Sequence, residues 1–192
     1  MNSSVAVQQW VDSAAEPAVR GFLHIPGEAN GDSLALTHGA GANSKSNLLV
    51  ALSNAFAEAG FTVLRYDLPF RHARPFGPPS PGNSERDRAG IRRAIEALKN
   101  KTTGRIFAGG HSYGGRQTTM LLAEQPDLVA GLLLLSYPLH PPRKPEQLRT
   151  AHFPKLKKPA LFVHGARDPF ATLEEMQSAL ALIPARQNLL EA

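Results

Sequence analysis

The sequence of 192 residues contains no cysteine, which excludes a disulfide framework, a thiolate metal site and a cysteine nucleophile together. It also lacks a long apolar run. The longest, residues 128–135, stops at Ser136, well short of the roughly 20 residues needed to cross a bilayer. Residues 1–20 carry no basic n-region, and Gln8, Gln9, Asp12 and Glu16 interrupt any apolar core of signal-peptide length. Cytoplasmic residence without membrane association is the expectation. Charge of one sign is only slightly in excess, since 21 Lys plus Arg against 16 Asp plus Glu leaves +5. That balance tolerates an anionic substrate but bears on solubility and association rather than on fold. There is no internal repeat and no low-complexity segment.

What is present is ordinary for a globular chain, with 42% hydrophobic and 19% charged residues, values unlike those of a disordered tail or a coiled coil. At about 150 residues per domain the length suits a single domain, read over 1–192 with a poorly defined segment at 1–18. Eleven of the 16 prolines fall in two segments, 69–81 and 138–159. Both are expected to be loops, because proline removes a backbone donor and blocks helix continuation. Residues 21–25, 33–37, 61–66, 105–108, 130–136, 160–164 and 187–191 read as strands, and 45–58, 85–98, 116–124 and 173–182 as helices. Leu48, Leu49, Leu52 and Phe56 recur at helical spacing in the first helix, as do Ile91, Ile95 and Leu98 in the second. Strands separated by helical stretches imply βαβ units, hence an α/β fold with a mostly parallel sheet covered by helices on both faces. In such sheets chemistry sits beyond the carboxyl ends of the strands.

Three loops at those ends carry the chemistry. Gly110-His111-Ser112-Tyr113-Gly114 matches G-x-S-x-G between a strand and a helix, the place where a sharp, strained turn can hold a serine hydroxyl forward as a nucleophile. Ser112 is the candidate nucleophile; the plainer alternative is a glycine-rich turn in which Ser112 only caps the following helix. His38-Gly39-Ala40-Gly41-Ala42 follows a buried strand, and backbone N–H groups at such a turn can converge on developing negative charge. The oxyanion donors are then the amides of Tyr113 and Ala40. Gly165-Ala166-Arg167-Asp168-Pro169 follows a late strand, where Asp168 can orient a histidine and stabilise its imidazolium. The bland alternative there is a surface Asp-Pro turn.

The sequence resembles the α/β-hydrolase superfamily, specifically its small dienelactone-hydrolase-like members and the bacterial hydrolase-like domain that also occurs in a subunit of a eukaryotic chromatin-modifying complex. The resemblance runs from about Leu34 to the last residue. It rests on His38-Gly39-Ala40-Gly41, on Arg65-Tyr66-Asp67-Leu68-Pro69-Phe70, on residues 109–115, on Tyr137-Pro138-Leu139-His140-Pro141-Pro142 with the residues to His152, and on residues 165–170. It implies hydrolysis of an ester-like bond in a small molecule, with Ser112 as nucleophile and Asp168 as the acid of the triad. No cofactor and no metal are implied, because nucleophile and oxyanion donors suffice. Tyr113 departs from the smaller residue relatives often carry and narrows the pocket in this reading. The family's catalytic histidine follows the last strand, which here reads as 187–191 of a sequence reaching Ala192. The expectation is a truncated chain whose histidine and closing helix lie beyond it, inactive or nearly so.

Seven histidines are present. His111 adjoins Ser112, but the turn is expected to point it away into a packing role; His140 and His152, near the active edge, are the replacements for the missing base, which must reach the serine hydroxyl. His38, Arg71 and His140 are the candidate substrate-binding residues. Basic residues cluster at Arg71, His72 and Arg74 and at Arg143, Lys144, Arg149, Lys155, Lys157 and Lys158. If they rim the site they suit a carboxylate or phosphate on the substrate, and otherwise they are solvated loops. Without interleaved aromatics they do not read as a nucleic-acid surface. Oligomeric state is not legible. Two other functions share these residues: a non-catalytic scaffold of the same fold, and a nucleotide-binding loop, because residues 39–46 nearly spell G-x-x-x-x-G-K-S/T with Ser44 where glycine is needed and Asp67 as a magnesium carboxylate.

Overall fold

The computed structural model describes residues 4–80 and 82–192; residues 1–3 of the N-terminal segment and Pro81, the end of the first proline-rich segment, lie outside the described residues. Eight strands form one sheet: β1 (Ala6–Asp12), β2 (Val19–Ile25), β3 (Ser33–Thr37), β4 (Thr62–Asp67), β5 (Ile106–His111), β6 (Gly131–Leu135), β7 (Ala160–His164) and β8 (Gln187–Glu191). Their order is β1-β2-β4-β3-β5-β6-β7-β8. β1 and β2 run antiparallel to their neighbours, and β3 to β8 pair in parallel, so the expected mostly parallel α/β sheet is what forms. The helices are α1 (Asn47–Glu58), α2 (Pro69–Ala73), α3 (Asn83–Lys99), α4 (Tyr113–Glu124) and α5 (Leu173–Leu180). None among the described residues is long and apolar enough to cross a membrane.

Two elements correct the sequence reading. The segment 1–18 contains β1, whose residues pair with β2 from Ala6 opposite Ile25 to Asp12 opposite Val19. Most of its side chains are exposed; backbone pairing at the sheet edge holds it, and hydropathy cannot register that. The first proline-rich segment is not all loop, because α2 starts at Pro69. Proline suits a first helical turn, where its missing N–H would have no partner in any case.

The core divides by face. Ile91, Ile95 and Leu98 of α3, Leu121 and Leu122 of α4, and Met176 and Leu180 of α5 join Leu64, Leu132, Leu134 and Phe162 on one side. Leu49 and Ala57 of α1 cover Leu34, Leu36, Val63, Leu133 and Leu135 on the other. Each fully buried Leu or Ile contributes about 1.5–3 kcal/mol, which is why β3 and β6, buried at every residue, read as plain apolar runs. The chain leaves β3 toward β4 on one side and returns to β5 on the other, so the carboxyl ends of β3 and β5 adjoin, with Thr37 opposite Gly110. That reversal opens the crevice in which such sheets place ligands.

Candidate active site

Ser112 stands where β5 breaks into α4. Its backbone lies at φ 50°, ψ −117°, a left-handed conformation that costs a non-glycine residue of order 1–3 kcal/mol and is retained where the surroundings enforce it. They do so here. The Ser112 amide donates to the Leu135 carbonyl at 2.8 Å, and its carbonyl accepts from the Arg116 amide at 3.0 Å. The residue is half-buried. The end of β6 repeats the device without a sequence signal, since Ser136 sits at φ 46° and its amide donates to Val163 at 2.8 Å.

The turn after β3 closes against this bend. A Cβ on Gly39 would lie 3.3 Å from the Ser112 Cβ and 2.9 Å from the His111 Nδ1, so any side chain there would press on both residues as the loops meet. Among the described residues the amides of Ala40 and Tyr113 donate to no protein acceptor. The Tyr113 amide opens α4, where the first N–H groups are necessarily unpaired. Asp168 lies after β7, half-buried, its carboxylate accepting from the Phe170 amide at 2.9 Å.

His38, expected to touch substrate, is fully buried. Its Nε2 accepts from the Leu68 amide at 3.1 Å, which leaves the proton on Nδ1 to be donated to the Gly39 carbonyl at 2.8 Å. Burial holds the imidazole below its ordinary value, so a neutral ring fixes the peptide whose N–H is Ala40's. Arg71 is likewise turned inward, donating to the carbonyls of Ala40 at 2.7 Å, Gly77 at 3.1 Å and Arg74 at 2.9 Å. Both residues prop the Ala40 turn rather than offer themselves to a ligand, a distinction that burial makes and sequence alone does not. His140, 5% exposed, spends its ring nitrogens on the Pro141 carbonyl at 2.8 Å and Glu175 at 3.3 Å; it ties the proline-rich loop to α5. His152 bonds Thr119 at 2.8 Å.

His111 packs where the two loops meet. Its ring lies over Gly39 beside Ser112, and the imidazole is held below its usual value by burial, with the Asp168 charge acting the other way. The strand's alternation could have shown that it shares a face with Phe107 rather than with Ala108. Tyr113 does not narrow the crevice as expected. Its ring meets Phe70 edge-on at 5.8 Å and its hydroxyl donates to Asp87 at 2.8 Å, so the side chain anchors the elbow to α3. Asp87 is fully buried, also accepts from the Phe70 amide at 3.0 Å, and is raised above the usual carboxylate range by that burial. Tyr113→Phe, which strips one of its donors, is expected to lower stability by about 1–3 kcal/mol, read as a fall in the urea midpoint at constant slope.

The nucleotide-loop reading fails on occupied donors. The Ser44 amide donates to Asp67 at 2.6 Å, the Lys45 amide to the Asn43 side chain at 2.8 Å, and the Ser46 amide to the Asn43 carbonyl at 3.1 Å. Arg65 clamps the loop from below, donating to the Ser44 carbonyl at 2.6 Å and to His24 at 2.8 Å. The amides from Ser44 to Ser46, which a phosphate loop would turn toward its ligand, are therefore spent within the protein.

Sheet order, crevice and strained serine at a strand-to-helix bend together define the α/β-hydrolase class. The chain belongs to the alpha/beta hydrolase domain family, whose model matches residues 30–189. The fold is similar to that of a dienelactone hydrolase from Anabaena variabilis, at 22% identity and a TM-score of 0.73 over 97% of this chain and 86% of that one. It is similar also to Est1E from Butyrivibrio proteoclasticus bound to ferulic acid, at 17% identity and a TM-score of 0.69 over 100% and 87%. An alpha-beta serine hydrolase homologue from Coxiella burnetii matches at 15% identity and a TM-score of 0.72 over 96% and 86%.

Proposed function

We propose that the protein is a serine hydrolase acting on an ester-like bond of a small molecule through an acyl-enzyme. Ser112 attacks the carbonyl, and the amides of Ala40 and Tyr113 take the charge of the tetrahedral oxyanion. The Ser112 hydroxyl proton passes to the departing alkoxide, which leaves as the alcohol, and water then cleaves the acyl-serine to the carboxylic acid, returning a proton to Ser112 Oγ. The carrying observation is the left-handed Ser112 backbone, half-exposed beside a turn so close that a Cβ on Gly39 would lie 3.3 Å from its own, with the Ala40 and Tyr113 amides unengaged among the described residues. Solved structures of similar fold named as a dienelactone hydrolase and as a cold-adapted esterase support an ester substrate.

In this reading Asp168 serves to orient a histidine. Among the described residues no histidine nitrogen is hydrogen-bonded to the Ser112 hydroxyl, and the two histidine–carboxylate contacts within 4.0 Å are those of His38 with Asp67 and His140 with Glu175. That same observation favours a second reading, a non-catalytic scaffold of the same fold that binds a small ligand or partner. A fluorophosphonate probe separates the two. Covalent labelling that disappears in Ser112→Ala, with an unchanged circular dichroism spectrum, supports the hydrolase; a wild-type protein left unlabelled after prolonged exposure leaves the scaffold.

A further inference from the structure

Asp87, on α3, is fully buried, and among the described residues no cation lies within ion-pair distance of its carboxylate. A carboxylate so placed costs desolvation that an apolar side chain of similar size would avoid. Its two oxygens serve different parts of the site. Oδ2 accepts from the Tyr113 hydroxyl at 2.8 Å, and Oδ1 accepts from the Phe70 amide at 3.0 Å.

The first bond reaches the Ser112 bend. Tyr113 is the first residue of α4, so fixing its side chain orients the peptide that carries one of the two unengaged amides. The second bond reaches the Ala40 turn by way of α2. The Phe70 amide lies in the first turn of α2, where no partner within the helix exists, and Asp87 supplies one. Three residues further along α3, a Cβ on Gly90 would lie 2.5 Å from the Pro69 Cγ, so the two helices touch there. The start of α2 in turn holds the Ala40 turn: the Leu68 amide donates to the His38 Nε2 at 3.1 Å, the Phe70 ring meets the His38 ring edge-on at 5.7 Å, and Arg71 donates to the Ala40 carbonyl at 2.7 Å. Both loops that offer an amide are thus tied to one carboxylate.

We propose that Asp87 is a positioning residue that registers the two oxyanion donors against each other, holding the Tyr113 amide through the Tyr113 hydroxyl and the Ala40 amide through the Phe70 peptide and α2. Two donors stabilise one oxyanion only when both point at the same spot, and a misplacement of about 1 Å costs about 10²-fold in rate. The effect on reaction rests on the Ser112 reading; the bracing of the two loops does not.

Amide hydrogen exchange read by NMR, with fluorophosphonate labelling of the same full-chain variants, tests it. The Ser112 amide, bonded to the Leu135 carbonyl, reports on one loop, and the Leu68 amide, bonded to the His38 ring, on the other. The Leu134 amide in the middle of β6 reports global opening. In Asp87→Ala, exchange at Ser112 and Leu68 should rise about tenfold or more relative to Leu134. The limiting labelling rate should fall about tenfold at an unchanged half-saturating probe concentration. Asp87→Asn, which keeps hydrogen-bonding groups toward both partners, should recover most of both. Tyr113→Phe should release Ser112 and leave Leu68 protected, and it decides if Asp87→Ala does not fold. Ile91→Val, which trims a buried methyl group one turn along α3, should leave the exchange ratios and the labelling unchanged. Ser112 and Leu68 keeping pace with Leu134 in Asp87→Ala, or Asp87→Asn behaving as Asp87→Ala does, overturns the proposal. Labelling at the wild-type rate in Asp87→Ala overturns the positioning role alone, whereas an unlabelled wild type with the expected exchange pattern keeps the bracing and ends the hydrolase reading.

Discussion

Gly109→Ala is expected to abolish folding or to leave a protein that melts about 6–20 °C lower. Gly109 lies in the middle of β5, and a Cβ there would overlap the carbonyl oxygen of Leu133 in β6. The clash is with backbone, inside a parallel ladder in which Gly109 pairs with Leu133, so no side-chain rotation relieves it. Overpacking a core typically costs about 1–3 kcal/mol and more where the backbone must move; at this position about 3–5 kcal/mol is expected. In a domain of this size each kcal/mol lowers the melting temperature by roughly 2–4 °C. Gly41→Ala is the matching control, because a Cβ at Gly41 meets nothing within 4 Å and its melting temperature should be unchanged. Equal melting of the two variants would contradict the close approach of β5 and β6.

Acid should destabilise the fold by several kcal/mol between pH 6.5 and 4. His24 is buried with its Nε2 accepting from Arg65 at 2.8 Å, and burial followed by the Arg65 charge push it down from 6.5 to about 4. His152 is pushed down equally far, by burial and then Arg116. In the unfolded chain both regain their ordinary value and bind protons that the native state refuses. Their contribution is therefore complete above pH 6.5 and lost as pH falls toward 4. For His24 the difference, 6.5 − 4 = 2.5, corresponds to about 3 kcal/mol, with less from the more accessible His152. Asp87 works in the opposite direction. Its raised carboxyl gains its proton more readily in the fold than in the unfolded chain and offsets part of the loss. Urea midpoints at pH 7, 5.5 and 4.5 should fall in that order, and a flat series would show that the two histidines are not held neutral.

Both expectations depend on burial, and burial marks where sequence reasoning stopped. Gly109 is legible as part of a glycine-rich stretch, yet its proximity to Leu133 arises only when β5 and β6 pair. His24 reads as one polar residue in an early strand, and nothing near it in sequence announces Arg65 as its neighbour. The same limit explains His38 and Arg71. Their chemistry suggested ligands, while their positions make them props of the Ala40 turn. His140 and His152 were candidate bases by proximity in the chain, and each is instead bonded to a neighbour in its own loop or packed helix.

The sequence by itself determined the α/β class, the strand-to-helix bend at Ser112 and the three loops that gather at one sheet edge. Hydrophobic periodicity and glycine placement are local properties, readable within a dozen residues. Tertiary structure alone decided which polar groups are spent holding the site: the His38 ring on the Gly39 peptide, Asp87 on Tyr113, Arg71 on the Ala40 carbonyl. A side chain's accessibility and its hydrogen-bond partners are set by residues tens of positions away, and those meet only when the sheet closes.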